Sequence, residues 1–275
     1  LVDNQSATAN VTLYGANVLS FMPKVPANMS DLLWVSPAAV FNGQKPVRGG
    51  IPICWPWFGK HPVDSTLPAH GFVRNLLWQL DSARRLDSGA TELVLSVESS
   101  DKTLKIWPYP FHLALTITIG ETLSLSLCTT NLSGTDMVIT EAFHSYFRVS
   151  HANQLTVLGL ENSMHVDTLS GMDRCLQAEK LFLSPPIDSV FLNHASEVII
   201  EDSEFSRRIS IAKQNSISTV VWNPGEDVVK GFQDIPNDQW HTFVCVESGN
   251  VLDNVVTLKP NEKHCLSMQL SGLLY

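Results

Sequence analysis

Residues 113–127 read Leu-Ala-Leu-Thr-Ile-Thr-Ile-Gly-Glu-Thr-Leu-Ser-Leu-Ser-Leu. Leu113, Leu115, Ile117 and Ile119 alternate with Ala and Thr, and the alternation resumes at Leu123, Leu125 and Leu127 after Gly120-Glu121. Successive strand side chains point to opposite faces, so a period of two marks a strand with one face in a core. The break at Gly120-Glu121 reads as the turn of a hairpin. Shorter runs of the same kind occur at Glu92–Val97, Leu155–Leu160, Val198–Glu201, Ile209–Ala212, Thr219–Trp222, Thr242–Glu247 and Cys265–Leu270. Turn residues separate them, and long helical periodicity is scarce. The chain is therefore expected to be all-β, a large antiparallel β-sandwich with only short helices. No repeat or linker interrupts it, so residues 1–275 are read as one domain.

Composition narrows the partners. The 275 residues are 44% hydrophobic and carry a net charge of −9. That balance argues against nucleic acid or an anionic membrane as a general partner, and no apolar run is long enough to span a bilayer. An anionic small molecule remains open if Arg or Lys cluster locally. The five cysteines, Cys54, Cys128, Cys175, Cys245 and Cys265, are odd in number, widely spaced and free of any C-x-x-C pair. This reads as reduced thiols in a cytoplasmic protein rather than a disulfide framework or zinc site. Glycosylation sequons at Asn10, Asn28 and Asn131 are taken as chance matches. Nucleotide-binding glycine loops, the zinc-protease helix motif and the hydrolase nucleophile elbow are all absent, which leaves side-chain acid/base chemistry or plain binding.

From Pro46 to Pro68 five prolines stand among Trp55, Trp57 and Phe58. Such density implies a rigid irregular loop, and loops on a β scaffold are where function concentrates. His144 lies among Phe143, Tyr146 and Phe147, a setting that desolvates an imidazole and suits proton transfer near neutrality. Glu247 ends the apolar run Phe243–Val246, where a carboxylate is costly unless paired or used. Arg48 and Arg74 sit beside glycines, so backbone and ligand can approach an arginine able to grip a phosphate. Trp55, Trp57, Phe72 and Trp222 offer flat faces for a sugar ring. Each of these residues, taken alone, serves equally well as a core or surface group.

Together, "RGGIPICWPWFG" (Arg48–Gly59), "HGFVR" (His70–Arg74), "EAFHSYF" (Glu141–Phe147), "WNPG" (Trp222–Gly225) and "FVCVES" (Phe243–Ser248) resemble the hexose-6-phosphate mutarotases. These form the glucose-6-phosphate 1-epimerase branch of the aldose 1-epimerase superfamily. The resemblance runs from about Val11 to the C-terminus. It implies a galactose mutarotase-like sandwich that needs neither cofactor nor metal. It further implies His144 and Glu247 as the catalytic pair, and His70, Arg48, Arg74 and Asp188 as substrate-binding groups. In the implied reaction an ionised Glu247 takes the proton from the C1 hydroxyl while a protonated His144 gives one to the ring oxygen. The expected partner is a hexose 6-phosphate, and the expected state is a monomer. Competing readings are an aldose 1-epimerase of free sugars, a sugar-binding module without catalysis, and a glycosidase using Glu247 with Asp188.

Overall fold

A computed structural model describes residues 1–27 and 29–275, so the sequon asparagine at position 28 lies outside the described residues. The hairpin of residues 113–127 forms as its pattern requires: Phe111–Ile119 pairs antiparallel with Leu123–Asn131, from Phe111 opposite Asn131 to Ile119 opposite Leu123. Leu113, Leu115, Ile117, Ile119 and Leu123 are fully buried, while Ala114, Thr116 and Thr118 keep partial exposure.

This hairpin belongs to a nine-stranded antiparallel sheet. In spatial order its strands are Leu181–Phe182, Thr156–Leu158, Val198–Asp202, Arg207–Gln214, Lys263–Leu274, Leu123–Asn131, Phe111–Ile119, Thr91–Glu98 and Gln79–Arg85. A second sheet of eight strands runs Asp173–Gln177, Ser163–Asp167, Ile187–Leu192, Ser218–Asn223, Phe243–Asn250, Glu141–Phe143 and Ile53–Cys54, with Tyr146–Arg148 also on Phe243–Asn250. Leu113, Leu115 and Ile117 from the first sheet share one core with Phe191, Val221, Val244 and Val246 from the second. Two sheets packed face to face in this way are the expected sandwich. Among the described residues, helix is confined to short turns such as Asp101–Ile106, which Ser100 and Thr103 cap reciprocally, and Gly225–Val228. None is long and apolar enough to cross a membrane.

The strand Phe243–Asn250 is buried along its whole length, because both of its faces are covered. Val244 and Val246 point into the core between the sheets. Phe243 and Cys245 point the other way, into a cluster with Trp34, Tyr146, Val229 and Ile235. Period two then assigns Glu247 to that outer face as well. The segment with the functional signature thus lies on the sheet face turned away from the main core.

The cysteine reading needs correction: Cys128 and Cys265 form a disulfide, and Cys54, Cys175 and Cys245 are free. The two partners stand 137 residues apart, so spacing gave no hint. The pairing of Leu123–Asn131 with Lys263–Leu274 sets Cys265 directly opposite Cys128. The inference from thiol usage to a reducing compartment falls with it. Asn131 is also unsuited to glycosylation, since it is fully buried and its amide donates to Thr135 and Leu258 carbonyls at 2.8 and 2.9 Å.

Candidate active site

Strand register builds the site. Ile187–Leu192, Ser218–Asn223, Phe243–Asn250 and Tyr146–Arg148 lie side by side, with Asp188 opposite Trp222, Trp222 opposite Cys245 and Cys245 opposite Tyr146. Residues directly opposite share a face, so these four form one row across the sheet. Glu247 stands two residues along from Cys245 and opposite Val220, in the next row. The strand facing it is interrupted: Phe143 pairs with Ser248, Tyr146 pairs with Cys245, and His144 and Ser145 lie between. The register is the same on both sides of the break, which puts His144 across from Glu247. His144 N–H instead donates to the Pro52 carbonyl at 2.9 Å, and Ser145 N–H to the Phe143 carbonyl at 2.9 Å.

His144 Nδ1 comes within 3.3 Å of Glu247 Oε1, and their side chains are 9% and 2% exposed. The approach lacks hydrogen-bond alignment: His144 Nδ1 and Glu247 Oε2 are both buried without a protein hydrogen-bond partner. Buried polar atoms are almost always partnered, so the unpartnered Glu247 Oε2, next to the oxygen that meets His144, is an acceptor open to a ligand's polar hydrogens. Burial pushes the Glu247 carboxyl well up from its ordinary range, Asp188 adding to the rise and Arg74 opposing it. Burial also pushes His144 well down, helped by the neighbouring His70, Arg74 and Arg48. In this site both groups lean toward neutrality. The charges expected from the sequence, ionised Glu247 beside protonated His144, are the arrangement that burial disfavours. Either arrangement holds one proton between the two residues.

His70 comes from the turn of the "HGFVR" segment. His70 and Gly71 have φ of +63° and +73°, the left-handed region that a side chain occupies at a cost. Gly71 has no alternative, because a Cβ there would lie 1.8 Å from the Trp55 carbonyl oxygen. The turn is clamped when Phe72 N–H donates to that carbonyl at 3.1 Å. It holds the His70 ring edge-on to His144, with centroids 5.4 Å apart. His70 Nδ1 accepts from Gly59 N–H at 3.3 Å, so in the neutral ring the hydrogen is on Nε2. Burial, with Arg74 and Arg48 adding to it, pushes His70 down to about 3, so it is a neutral donor at pH 7.

Tyr146, whose ring stacks on His144 at 4.9 Å, also lines a cleft of about 470 Å³ with Lys45, Arg48, Arg74, Phe232 and Asp234 among others; His144 and Glu247 do not line it. Arg48 Nε donates to Asp234 Oδ2 at 3.1 Å, its Nη1 donates to Tyr146 Oη at 3.0 Å, and its guanidinium lies 5.1 Å from the centre of the Phe232 ring. Burial works against the Arg48 charge, but the Tyr146 hydroxyl and the Asp234 carboxylate more than offset this and keep it protonated. Arg74 Nη2 donates to the Ala69 carbonyl at 2.8 Å, and its Nε is buried without a partner. Asp188 lies farther along the face, its carboxyl raised by burial against an opposing bond from Thr168.

The six residues singled out from the sequence therefore lie around one region of the outer face. The aromatic expectations divide. Trp55, Trp57 and Phe72 are buried in the core, Trp55 donating to Thr129 Oγ1 at 3.1 Å, and cannot stack on a ligand. Of the four, Trp222 keeps partial exposure near the site, its ring centre 6.1 Å from that of His144. Sequence reasoning missed Tyr146, Lys45 and Asp234. Tyr146 sat inside a quoted segment. Asp234, 186 residues from its partner Arg48, belongs to no motif.

Comparison with known proteins agrees with this architecture. The family "Aldose 1-epimerase" matches residues 1–271. A "Putative glucose-6-phosphate 1-epimerase" of Escherichia coli (strain K12) is 32% identical over 265 residues, 96% of this chain and 87% of that protein. A protein of the same description from Cenchrus ciliaris is 33% identical over 270 residues, covering 94% of this chain and 79% of its own. The crystal structure of a "putative mutarotase" from Salmonella typhimurium superposes with a TM-score of 0.91 at 30% identity, covering 100% of this chain and 90% of that one. Fold and likeness together define a carbohydrate epimerase, an isomerase. The chain belongs to the aldose 1-epimerase family.

Proposed function

We propose that this protein interconverts the α and β anomers of a hexose 6-phosphate, glucose 6-phosphate first among them, with His144 and Glu247 as the acid/base pair. The observation that carries the reading is the buried, misaligned contact between these two residues, joined through the Tyr146 ring stacked on His144 to a cleft holding Lys45, Arg48 and Arg74.

Anomer exchange of a hemiacetal needs one base and one acid. Glu247 takes the hydrogen of the C1 hydroxyl, and the O–H electrons form the C1 carbonyl. The C1–O5 bond breaks onto O5, which takes a proton from His144. Rotation about C1–C2 presents the other carbonyl face, and closure runs the two transfers backward. Ring opening thus turns a charged pair into a neutral one, the form that burial favours. A raised carboxyl is a stronger base and a depressed imidazolium a stronger acid, so both shifts push in the direction of opening. Sugar hydroxyls donating to the orphan Glu247 Oε2 favour its anion, and a nearby phosphate dianion favours the His144 cation. Each proton-transfer group contributes on the order of 10²–10⁴-fold.

The cations give the substrate its phosphate. A phosphomonoester carries roughly −1.5 to −2 charges at neutral pH, and Arg48 and Arg74, with Lys45 on the rim, supply the counter-charge inside a chain of net −9. His70 Nε2–H donates to a sugar oxygen and Asp188 accepts from ring hydroxyls. The relatives' names point to the same substrate.

The test is exchange between anomers measured by NMR at C1, for glucose 6-phosphate, glucose and galactose. Glu247→Gln and His144→Ala are expected to lower the catalysed rate by about 10²–10⁴-fold. Arg74→Ala is expected to raise KM for the phosphosugar and leave free sugars little affected. Full activity in Glu247→Gln would remove the acid/base assignment. Equal catalysis of free and phosphorylated sugars by the unsubstituted chain would replace the phosphosugar reading with a general aldose epimerase.

A further inference from the structure

Tyr146 touches both halves of the proposed site. Its ring lies parallel to the His144 imidazole, with centroids 4.9 Å apart and 3° between the planes. Trp34 stacks against it at 5.9 Å and 22°, and Phe243 packs at 5.6 Å, so the phenol cannot tilt without displacing other rings. Its hydroxyl accepts from Arg48 Nη1 at 3.0 Å, and Arg48 is fixed in turn by Asp234. Among the described residues the phenol hydrogen has no acceptor, and Tyr146 lines the cation-rich cleft.

A merely structural ring would not need that hydroxyl. A phenol oxygen inside an aromatic cluster costs stability unless it is used, and phenylalanine would fill the same space. Burial keeps the phenol protonated, although Arg48 pulls the other way, so it retains a hydrogen to give.

We propose that Tyr146 is a positioning residue that joins the phosphate end of the site to the acid/base pair. The ring sets the plane of His144 so that Nδ1 stays on Glu247. The hydroxyl fixes the head of Arg48 and donates its own hydrogen to the substrate's phosphoryl oxygen. Phosphate and proton transfer are thereby held in one frame, which offers a reason for a phosphorylated sugar to be handled better than a free one. The inference rests on the proposed hexose-phosphate reading, and its test separates the two.

Two variants divide the roles: Tyr146→Phe removes only the hydroxyl, and Tyr146→Leu removes the stacked ring as well. A hydrogen bond to a charged group corresponds to about a tenfold change in affinity. Tyr146→Phe is therefore expected to weaken binding of inorganic phosphate about tenfold, measured by calorimetry, and to raise KM for glucose 6-phosphate by a similar factor. Its kcat should change less, so the preference for phosphosugar over glucose shrinks. The His144 ring protons should keep their ring-current shift in Tyr146→Phe and lose it in Tyr146→Leu, whose pH–rate profile should also move. Phosphate affinity and KM unchanged in Tyr146→Phe would overturn the proposal, as would a fall in kcat alone for both sugars. If the unsubstituted chain exchanges no sugar while Tyr146→Phe still loses phosphate affinity, the function falls and the Tyr146 linkage stands. If the chain is active and Tyr146→Phe matches it throughout, the linkage falls and the function stands.

Discussion

Glu247 and His144 are expensive residues to bury, and their cost depends on pH in opposite senses. The Glu247 carboxyl is raised by burial, so the folded chain holds this proton at pH values where the unfolded chain has released it. Its contribution to stability is complete below the unfolded value, 4.5, and is lost as pH rises toward the folded one. His144 and His70 are depressed by burial from 6.5, so their contribution is complete above 6.5 and is lost as pH falls, for His70 down to about 3. Glu247→Gln removes the first cost and leaves the second. Its melting temperature should exceed that of the unsubstituted chain by a margin that is larger at pH 8 than at pH 5. Thermal unfolding at both values checks this, and a margin that does not change with pH would mean that Glu247 ionises in the folded chain as it does in water. A site group whose removal stabilises the fold is the usual mark of stability given up for function.

Elements decide how these residues meet. Gly71 has a positive φ and no room for a Cβ against Trp55, so Gly71→Ala should cost about 3 kcal/mol or more and displace His70. Chemical denaturation would show it; a cost under about 0.5 kcal/mol would mean that the turn relaxes freely. The Cys128–Cys265 bond joins Leu123–Asn131 to Lys263–Leu274 across 137 residues, and a double Ser variant should lose about 2–4 kcal/mol. Thiol titration of the denatured, unreduced chain should find three groups, Cys54, Cys175 and Cys245; five would show the bond absent. Strands were legible in the sequence where one face is buried and the other half-open, as in Leu113–Leu127. They were not legible at Gln79–Arg85, an edge strand exposed throughout, or at Asp173–Gln177, exposed along nearly all its length, because neither buries an apolar face that would leave a period. Residues carried by a local segment stand out in the sequence, as His144 and Glu247 do. Those tied by register do not: Cys265 opposite Cys128, or Asp234 on Arg48, exist only once distant strands and loops are aligned.

At the scale of the whole molecule, the inner face of the eight-stranded sheet goes to the main core, and its outer face carries Glu247 and Asp188 among smaller apolar clusters. The main core fuses both sheets and fixes the register that sets His144 across from Glu247. The charge is divided as well. A chain of net −9 gathers Lys45, Arg48 and Arg74 around one cleft against the single carboxylate of Asp234, a local balance opposite in sign to the molecule's own. In the proposed function these cations and the buried pair act on the same substrate. The most direct measurement is two-dimensional exchange NMR at C1 of glucose 6-phosphate and of glucose, each with and without the protein. Cross-peaks between the α and β anomers of the phosphosugar should grow with protein concentration, well beyond those of glucose. Phosphosugar cross-peaks no stronger with the protein than without it would contradict the account.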